Sequence, residues 1–290
     1  MVAVRPDPTK IYPRYLLAVL RSRVVRDRID GMHVGTLIPH FKKGDFGKLM
    51  IPVPDCQQQK EIGDFYLLLS SKIEINKLLV ERSLALLRSF VDRALAKEER
   101  NVAVADLGAY VNGGPYTKGA SGSGRMVIRI AELNTGPGPS TVYSDIGVPQ
   151  DRTARAGDIL MSWSGSLGVY RWFRDEAIVN QHIFKVLPKD GYPAWLVFDR
   201  LDAIMPAFQR IAKDKATTMG HIQRGHLETT QVAVPSPPVI KELDFRVTPL
   251  WDRLLLAERE SLKLASLRDT LLPELLSGRV RIAEVLGAIA

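Results

Sequence analysis

The sequence predicts an α+β protein in which a mixed α/β globular domain is combined with two long helices that pack as a coiled coil. Two observations carry this prediction. Apolar residues recur at alternating spacings of four and three over two long stretches of the chain, which is the pattern of a coiled-coil seam. Between these stretches, short apolar or alternating runs are separated by loops rich in Gly, Pro and Ser, which is typical of strands.

Composition favours a protein of the cytoplasm with a polyanionic partner. The 290 residues are 46% hydrophobic, enough for one large or two medium domains, and the formal net charge is +8. Cys56 is the one cysteine, which excludes a disulfide framework and a cysteine-rich zinc site. The first ten residues contain no apolar signal segment, and no apolar run is long enough to span a bilayer, so we expect no membrane partner.

The chain contains an internal repeat with an offset of about 180 residues. HFKKGDFGKLMIPVP (40–54) resembles HIQRGHLETTQVAVP (221–235), and YPRYLLAVLRS from Tyr12 resembles YPAWLVFDRLD from Tyr192. Pro13 and Pro193 suit the first turn of a helix, where a missing N–H has no cost. Each copy therefore predicts a helix, a loop and an aliphatic-x-Val-Pro exit into a long helix.

The long helices of the two copies carry heptad seams in the same register. The first seam consists of Ile62, Tyr66, Leu69, Ile73, Asn76, Val80, Ser83, Leu87, Phe90 and Ala94. Adding 181 gives the second seam of Leu243, Val247, Leu250, Leu254, Ala257, Ser261, Leu264, Arg268, Leu271 and Leu275. The pattern favours a coiled coil over the alternative of two ordinary amphipathic core helices.

Three details of the long helices follow from the same pattern. At 1.5 Å per residue the first helix would be about 50 Å long, which suits a spacer. Asn76 either sets the register of the seam or faces water at its edge. Thr248 and Pro249 have the residue types of an N-cap and a first helical position, so the second long helix is predicted to begin there after a short lead-in helix.

The segment between the long helices has the texture of a mixed globular domain. RMVIRI, GDILMSW, LGVYRWF and EAIVNQHIFKVLP are predicted strands, and the linking loops include NGGPYTKGASGSGR and NTGPGPS. A helix is predicted from about Ala194 to Ala212, followed by the polar loop AKDKATTMGHIQRGH. The first copy has no counterpart of the strand-rich part.

This order of elements resembles the DNA-specificity (S) subunit of type I restriction-modification systems. The resemblance covers essentially the whole chain. The matching pieces are GDILMSWSGSLG (157–168), VNQHIFKV (179–186), the two His-apolar-x-x-Gly stretches, the Val-Pro leads into the long helices and the ending LLPELLSGRVRI. It implies two target-recognition domains, each followed by a long helix, with the two helices packed antiparallel.

The chain departs from that family's pattern because the front of the first recognition domain is absent. The resulting organisation places the C-terminal remnant of the first domain at residues 1–55 and the first long spacer helix at 56–100. The complete second recognition domain is placed at 101–237. The second long helix and the C-terminal tail follow at 238–290.

The sequence predicts no catalytic residue and no metal site of its own. It contains no Asn/Asp-Pro-Pro-aromatic methyltransferase motif, no G-x-G-x-x-G and no complete P-loop. The five histidines lack zinc-type spacing. Asp7 and Lys10 form a loose nuclease-like pair, which is too short a pattern to argue for cleavage.

The remaining chemistry is that of a DNA-reading surface, because Arg, Lys, Asn and Gln read base edges while Lys, Arg, Ser, Thr and backbone N–H groups hold phosphates. The candidate DNA-binding residues are Tyr116, Thr117, Lys118, Ser121, Ser123, Arg125, Ser162, Ser164, Ser166, Lys213, Lys215, Thr217, Thr218, His221 and Arg224. Lys42 and Lys43 are the equivalents of the last group in the first copy.

Each of these assignments has a structural alternative. The Gly-rich loop from Asn112 to Arg125 could be an ordinary surface loop, and Trp163 could belong to the core. The polar residues 180–182, on a predicted strand, are interpreted as a hydrogen-bonded structural cluster rather than as base contacts.

The resemblance implies a non-catalytic subunit that binds double-stranded DNA and docks methyltransferase (M) and restriction (R) subunits. S-adenosylmethionine and ATP would then be cofactors of those partners, and this chain would hold none. A second copy or another specificity fragment would read the other half of a bipartite target. The rival interpretations are a coiled-coil adaptor that binds no DNA and a stand-alone nuclease.

Overall fold

The structure, a computed structural model, describes residues 4–31, 43–214 and 220–287. Its α-helices are α1 Pro13–Arg21, α2 Arg23–Gly31, α3 Cys56–Leu95, α4 Ile130–Thr135, α5 Ala194–Asp214, α6 Arg224–Thr229, α7 Pro237–Leu276 and α8 Ile282–Gly287. Short 3-10 helices cover Lys43–Lys48, Val104–Asp106 and Gln150–Arg152.

The strands are β1 Arg100–Ala103, β2 Gly108–Asn112, β3 Arg125–Ile128, β4 Tyr143–Ser144, β5 Thr153–Ala154, β6 Ile159–Ser162, β7 Gly168–Arg171, β8 Ala177–Val179, β9 Ile183–Pro188 and β10 Gln231–Val234. They form an antiparallel pair β1-β10, an antiparallel sheet in the order β2-β9-β6-β7, and a mixed sheet in the order β4-β3-β8-β5. The predicted α+β class is confirmed, and the predicted strands RMVIRI, GDILMSW and LGVYRWF are each observed as one strand, whereas EAIVNQHIFKVLP is divided into β8 and β9.

The chain divides into two compact units whose boundaries fall within both long helices. Unit 1 contains residues 1–78 and 260–290, and unit 2 contains residues 79–259. In each unit the beginning of one long helix packs antiparallel against the end of the other. The sequence-based domain boundaries remain a prediction, because compactness alone does not test them.

The helical cores of the two units are built from equivalent residues with the roles of α3 and α7 exchanged. Unit 1 buries Ile62 and Tyr66 of α3 against Leu272 and Leu275 of α7. Unit 2 buries the residues 181 positions away from these, which are Leu243 and Val247 of α7 and Val91 and Ala94 of α3. Tyr15 of α1 and Trp195 of α5, each at most 1% exposed, complete the two cores at matching places. The repeat in the sequence is therefore a repeat in the fold.

The two long helices pack together as predicted, and none of the residues of the proposed heptad seams is exposed. Of those proposed as helix contacts, Ile62, Leu69, Leu87, Leu243 and Leu254 are buried, and Ile73, Val80, Leu250, Leu264 and Leu271 are half-buried. Asn76 is 1% exposed and its Nδ2 donates to Glu260 Oε2 at 2.8 Å, so it is a buried seam residue and does not face water.

The predicted start of the second long helix at Thr248 and Pro249 is wrong, because α7 runs without interruption from Pro237 to Leu276. A proline inside a helix removes one N–H and crowds the carbonyl four residues earlier. Here that carbonyl belongs to Phe245, which is 87% exposed, and Pro249 is exposed as well. Water can therefore reach the carbonyl, and the proline is tolerated on the outer face of the helix.

The central sheet of unit 2 is buried on both faces, which explains why β6 is entirely buried. Ile159 and Met161 point into a core shared with Val197 and Leu201 of α5. Leu160 points the other way, into a core shared with the second sheet. The β6–β7 hairpin and the turn between β8 and β9 are thus supported by a packed core on both sides of the sheet.

Candidate nucleic-acid interface

Four chain segments of unit 2 converge around Trp163. They are residues 112–114, 163–165, 180–182 and 220–222. The Trp163 N–H donates to His182 O at 3.2 Å, and Trp163 O accepts from Ile222 N at 2.9 Å. Gly165 N donates to Gly220 O at 3.0 Å. These backbone bonds hold three of the four segments together, and Gly114 N, which donates to Val179 O at 3.1 Å, holds residues 112–114 beside them.

The side chains at this place form what we call the Trp163 cluster, which consists of Asn112, Trp163, Ser164, His182 and His221. Trp163 Nε1 donates to Asn112 Oδ1 at 2.9 Å, and the Trp163 ring lies 5.6 Å from the His182 ring and 6.5 Å from the His221 ring, centroid to centroid. Ser164 Oγ lies 3.0 Å from His182 Nδ1. The cluster is a half-buried aromatic platform surrounded by polar groups.

The turn that carries His182 differs from the prediction, because residues 177–188 are two strands and not one. β8 belongs to the mixed sheet and β9 to the antiparallel sheet, and residues 180–182 form the crossing between them. The crossing depends on Gly113, where an added Cβ would lie 2.2 Å from Asn180 O. Gly113 N also donates to Ile183 O at 3.0 Å.

The Trp163 cluster and the neighbouring Gln181 present imidazole and amide groups to solvent. Gln181 and His221 are exposed, and Gln181 Nε2 lies 3.3 Å from His182 Nε2. A glutamine amide offers one donor and one acceptor side by side, which matches the N6 and N7 edge of adenine in the major groove. Of the open alternatives for residues 180–182, the structure supports the structural cluster for Asn180, which is buried, and leaves Gln181 available to a ligand.

The hairpin serines occupy three different environments. The proposed DNA contact of Ser162 is wrong, because Ser162 is 0% exposed and its hydroxyl donates to Ser166 O at 2.7 Å and accepts from Gly168 N at 2.9 Å. Ser164 is 5% exposed and lies against His182. Ser166 is exposed, at the tip of the β6–β7 hairpin. Only Ser166 of the three has the exposure that a direct contact needs.

The Gly-rich loop after β2 is a second exposed surface. Thr117, Lys118, Ser121 and Ser123 are exposed, whereas Tyr116 is half-buried and its hydroxyl accepts from Arg152 Nη1 at 3.3 Å. This hydrogen bond raises the pKa of the Arg152 guanidinium. Gly119, Gly122 and Gly124 all have positive φ, which explains why the loop is rich in glycine.

Arg125 is half-buried and forms an ion pair with Glu176. Its Nη1 lies 2.9 Å from Glu176 Oε1, and its Nη2 donates to Ile146 O at 2.7 Å. Arg155 Nε lies 3.1 Å from the other oxygen of Glu176. The hydrogen bond from Arg125 lowers the pKa of the Glu176 carboxyl. Two arginines thus share one carboxylate, and a contact from Arg125 to DNA would have to compete with that pair.

The polar loop before the second long helix is described in part. Lys213 is exposed, and Arg224 is exposed with its Nη2 donating to Tyr110 O at 3.2 Å and its guanidinium 5.9 Å from the Phe184 ring centroid. Lys42, Lys215, Thr217 and Thr218 lie outside the described residues, as does the side chain of Lys43.

The structure also bears on a nuclease-like site, a metal site and a membrane span. Asp7 Oδ1 accepts from Thr9 N at 3.0 Å and from Thr9 Oγ1 at 2.7 Å, so the carboxylate proposed for a nuclease-like pair closes a local turn. Within residues 4–31, 43–214 and 220–287, no group of three His, Cys, Asp or Glu side chains could hold a metal ion. No helix in these ranges is both long and apolar enough to cross a membrane.

Sequence reasoning did not single out Asn112 or Arg152 as contact candidates, and it interpreted Gln181 as part of a structural cluster rather than as a base contact. Asn112 and Gln181 belong to stretches that were noticed, but their approach to Trp163 depends on the crossing between two sheets. Arg152 lies in a short 3-10 helix whose sequence has no motif. The NGG sequence at 112–114 was the available signal, since consecutive glycines after a strand indicate close backbone approach.

The comparisons with known proteins point to one kind of fold. The S subunit of a type I restriction-modification system from M. genitalium is 16% identical, aligns with 93% of this chain and 74% of its own, and has a TM-score of 0.55. The chain has the fold of a type I specificity subunit. The two long helices packed antiparallel, α3 and α7, are the part of that fold that the heptad seams and the resemblance predict.

Other similarities are weaker or shorter. The HsdS subunit from Thermoanaerobacter tengcongensis is 16% identical and aligns with 96% of this chain and 73% of its own, with a TM-score of 0.40. The type I restriction enzyme MjaIX specificity subunit of Methanocaldococcus jannaschii is 27% identical over 71 residues. That alignment spans 24% of this chain and only 16% of the relative's length. No protein-family model matches the chain.

Proposed function

We propose that this chain is the sequence-specific DNA-binding subunit of a type I restriction-modification complex and that it reads one half of a bipartite target. The observation that carries the proposal is the convergence of four loops into the Trp163 cluster at one end of the sheets, in a chain with the specificity-subunit fold. Base-reading side chains must be exposed and yet held in place, and this cluster satisfies both requirements.

In this proposal the two exposed surfaces have different tasks. Gln181 and His221 read base edges from the Trp163 cluster, where the aromatic platform and the backbone bonds fix their positions. Thr117, Lys118 and Ser123 hold phosphates from the Gly-rich loop. Phosphate contacts set position and base contacts set sequence, so the two groups should respond differently to mutation.

The partners follow from the family that the fold resembles. Adenine methyltransferase subunits would dock along α3 and α7, and a restriction subunit would join the complex. S-adenosylmethionine and ATP would be bound by those partners, and this chain would have no catalytic role. A second copy of the chain or another specificity fragment would read the other half-site. The complex would work in the cytoplasm, where the genome is accessible.

The experiment that tests the proposal is co-expression of the chain with the methyltransferase encoded beside it, followed by mapping of N6-methyladenine by sequencing. We expect methylation at a defined motif that disappears when this chain is omitted. Inverted copies in the motif would indicate that the chain pairs with itself, and unequal halves would indicate another fragment. Duplex binding by the purified chain should weaken steeply as salt rises, since bound phosphates release counterions.

The rival functions give different results in the same experiments. A coiled-coil adaptor would show neither a methylated motif nor salt-dependent binding to DNA. A nuclease would cleave DNA with magnesium as the purified chain, and an Asp7→Asn variant would not.

A further inference from the structure

The segment of the first copy that corresponds to β10 has its backbone carbonyls bonded by side chains, whereas β10 in the second copy is paired with another strand. Residues 50–53 correspond to β10, which pairs with β1 in the second copy. In the first copy these residues form no strand, and the carbonyls of Met50 and Pro52 accept hydrogen bonds from Arg28 Nη1 at 2.5 Å and from the Tyr15 hydroxyl at 2.8 Å. Side chains of the first copy therefore satisfy backbone groups that a neighbouring strand would otherwise use.

The face of α1 that would carry a sheet is also exposed. In α5, Ala194, Val197 and Leu201 pack into the core beneath the central sheet, and Val197 and Leu201 are 0% exposed. The residues 180 positions earlier are Arg14, Leu17 and Arg21 of α1. Both arginines are exposed, and Leu17 is 37% exposed.

Arginine at these positions is incompatible with a covering sheet. An apolar sheet laid over Arg14 and Arg21 would remove both guanidinium groups from water. Burying Arg21, for which no ion pair is found among the described residues, would cost several kcal/mol. The surface is therefore not the exposed core of an unfinished recognition domain. It is suited to water or to an anionic partner.

The charge of this segment favours an anionic partner. Residues 13–31 contain five arginines and two aspartates, a net charge of +3, whereas the equivalent residues 193–211 contain two arginines and two aspartates, a net charge of zero. Arg14 pairs with Asp64 at 2.7 Å and Arg23 lies 3.8 Å from Asp27. Within the described ranges, no ion pair involves Arg21 or Arg26.

Arg21 and Arg26 line one groove of unit 1 together with Arg23, Arg268 and three aspartates. Its volume is about 690 Å³. Two of the aspartates, Asp27 and Asp269, are within ion-pair distance of Arg23 and Arg268. Arg21 and Arg26 are thus the cations of this groove that are available to a ligand.

We propose that residues 13–31 are a phosphate-holding arm, through which the first copy binds the backbone of duplex DNA without reading its sequence. The inference rests on the proposed function, in which the second copy reads bases, and it assigns a task to the copy whose described residues form no sheet. Two added phosphate contacts increase the dependence of affinity on salt by about 0.9 each in the slope of log K against log salt concentration.

The test is an Arg21→Gln/Arg26→Gln double variant of the full chain, titrated with one specific and one unrelated duplex over 50–200 mM salt. Arg246→Gln/Arg253→Gln, which removes two exposed arginines of α7, is the matched control for net charge. We expect the arm variant to lower the salt slope by about 1.8, and to bind both duplexes several-fold more weakly with an unchanged preference between them. We expect the control to lower the slope by less than half as much.

The outcomes separate this inference from the proposed function. If the wild-type chain binds no DNA, the proposed function fails. If the wild type binds specifically and the arm variant matches the control in slope and affinity, the arm is refuted and the reader stands. If the arm variant instead loses a complex with a second copy of the chain, measured by light scattering, the face binds protein and the arm is also refuted. Circular dichroism checks that α1 and α2 remain folded.

Discussion

Removal of Arg171 should destabilise unit 2 strongly, because it leaves a buried carboxylate without its partner. Arg171 of β7 has a side chain that is 4% exposed, and its Nη2 lies 2.7 Å from Oε2 of Glu258 on α7, whose side chain is 19% exposed. Its Nη1 donates to Trp251 O at 3.1 Å, and its guanidinium lies 4.3 Å from the centre of the Trp251 ring. One side chain thus connects the sheet to the long helix.

The magnitude follows from the burial of the pair. Breaking a buried ion pair by removing one partner costs about 3–5 kcal/mol, and the partial exposure of Glu258 places Arg171→Met near 3 kcal/mol. For a unit of this size that corresponds to a fall in Tm of about 6–12 °C. Arg171→Met/Glu258→Leu should recover most of the loss, since apolar residues of similar volume replace buried ion pairs at little cost.

The assay is thermal or denaturant unfolding followed by tryptophan fluorescence. All four tryptophans lie at positions 163, 172, 195 and 251, so the signal reports unit 2 alone. Two results would refute the reasoning. One is a loss below about 1 kcal/mol in the single variant, and the other is a double variant that is no more stable than the single one.

The pH dependence gives an independent check on the same pair. Burial raises the pKa of Glu258 above its ordinary value, although Arg171 opposes the shift. A raised folded-state pKa means that the contribution to stability is present below the unfolded-state value and is lost as pH rises through the folded-state value. Without Arg171 that pKa should rise further, so the deficit of Arg171→Met relative to wild type should be smaller at pH 5 than at pH 8.

Four further changes test the helices and the two proposed DNA surfaces. Leu69→Pro should break α3, because an interior proline costs about 3 kcal/mol, and pull-down with the methyltransferase should fail while a Leu69→Met control binds. Asn76→Ala should cost about 1 kcal/mol in chemical unfolding of the chain by removing the hydrogen bond to Glu260, and an unchanged midpoint would count against a structural role. Lys118→Gln should lower the salt slope of DNA binding by about 0.9 with no change in sequence preference. Gln181→Ala should leave the salt slope unchanged and reduce discrimination at one base pair by about 1–3 kcal/mol, measured against a set of singly substituted duplexes.

The helical part of the fold could be predicted from the sequence because apolar residues recur at regular spacing along the whole length of both long helices. A seam that keeps a 3.5-residue repeat in two copies leaves few positions at which the helices can meet, and none of the predicted seam residues is exposed, although Val91 and Leu272 are also buried and lie outside the predicted seams. The start of the second long helix was predicted wrongly at Pro249, because residue types near a proline do not tell whether that part of the helix is exposed. In the structure Phe245 and Pro249 face solvent. Where the outer face is hydrated, an interior proline does not end a helix.

The candidate site was harder to predict because its residues are brought together by contacts that are distant in sequence. Asn112, Trp163 and His182 lie at or next to the ends of separate strands and meet only because β8 and β9 belong to different sheets. Ser162 looked like a loop residue in the sequence, but its hydroxyl is used to close the hairpin that presents its neighbours. Residue types predicted which loops carry candidate DNA contacts, and backbone geometry determines which residues of those loops are exposed.

The repeat separates the residues that both copies share from the residues in which the two copies differ. Both copies keep the residues that build a helical core, from Tyr15 and Trp195 to the exchanged pairs on α3 and α7. The first copy has arginine where the second has Ala194 and Leu201, and it caps with side chains the carbonyls at positions that the second pairs in a sheet. If the first copy only awaited a sheet from another chain, these positions would have to stay apolar and unpaired. Their chemistry instead fits a surface that meets water or an anion, which is what the proposed division between base reading by unit 2 and phosphate binding by unit 1 requires.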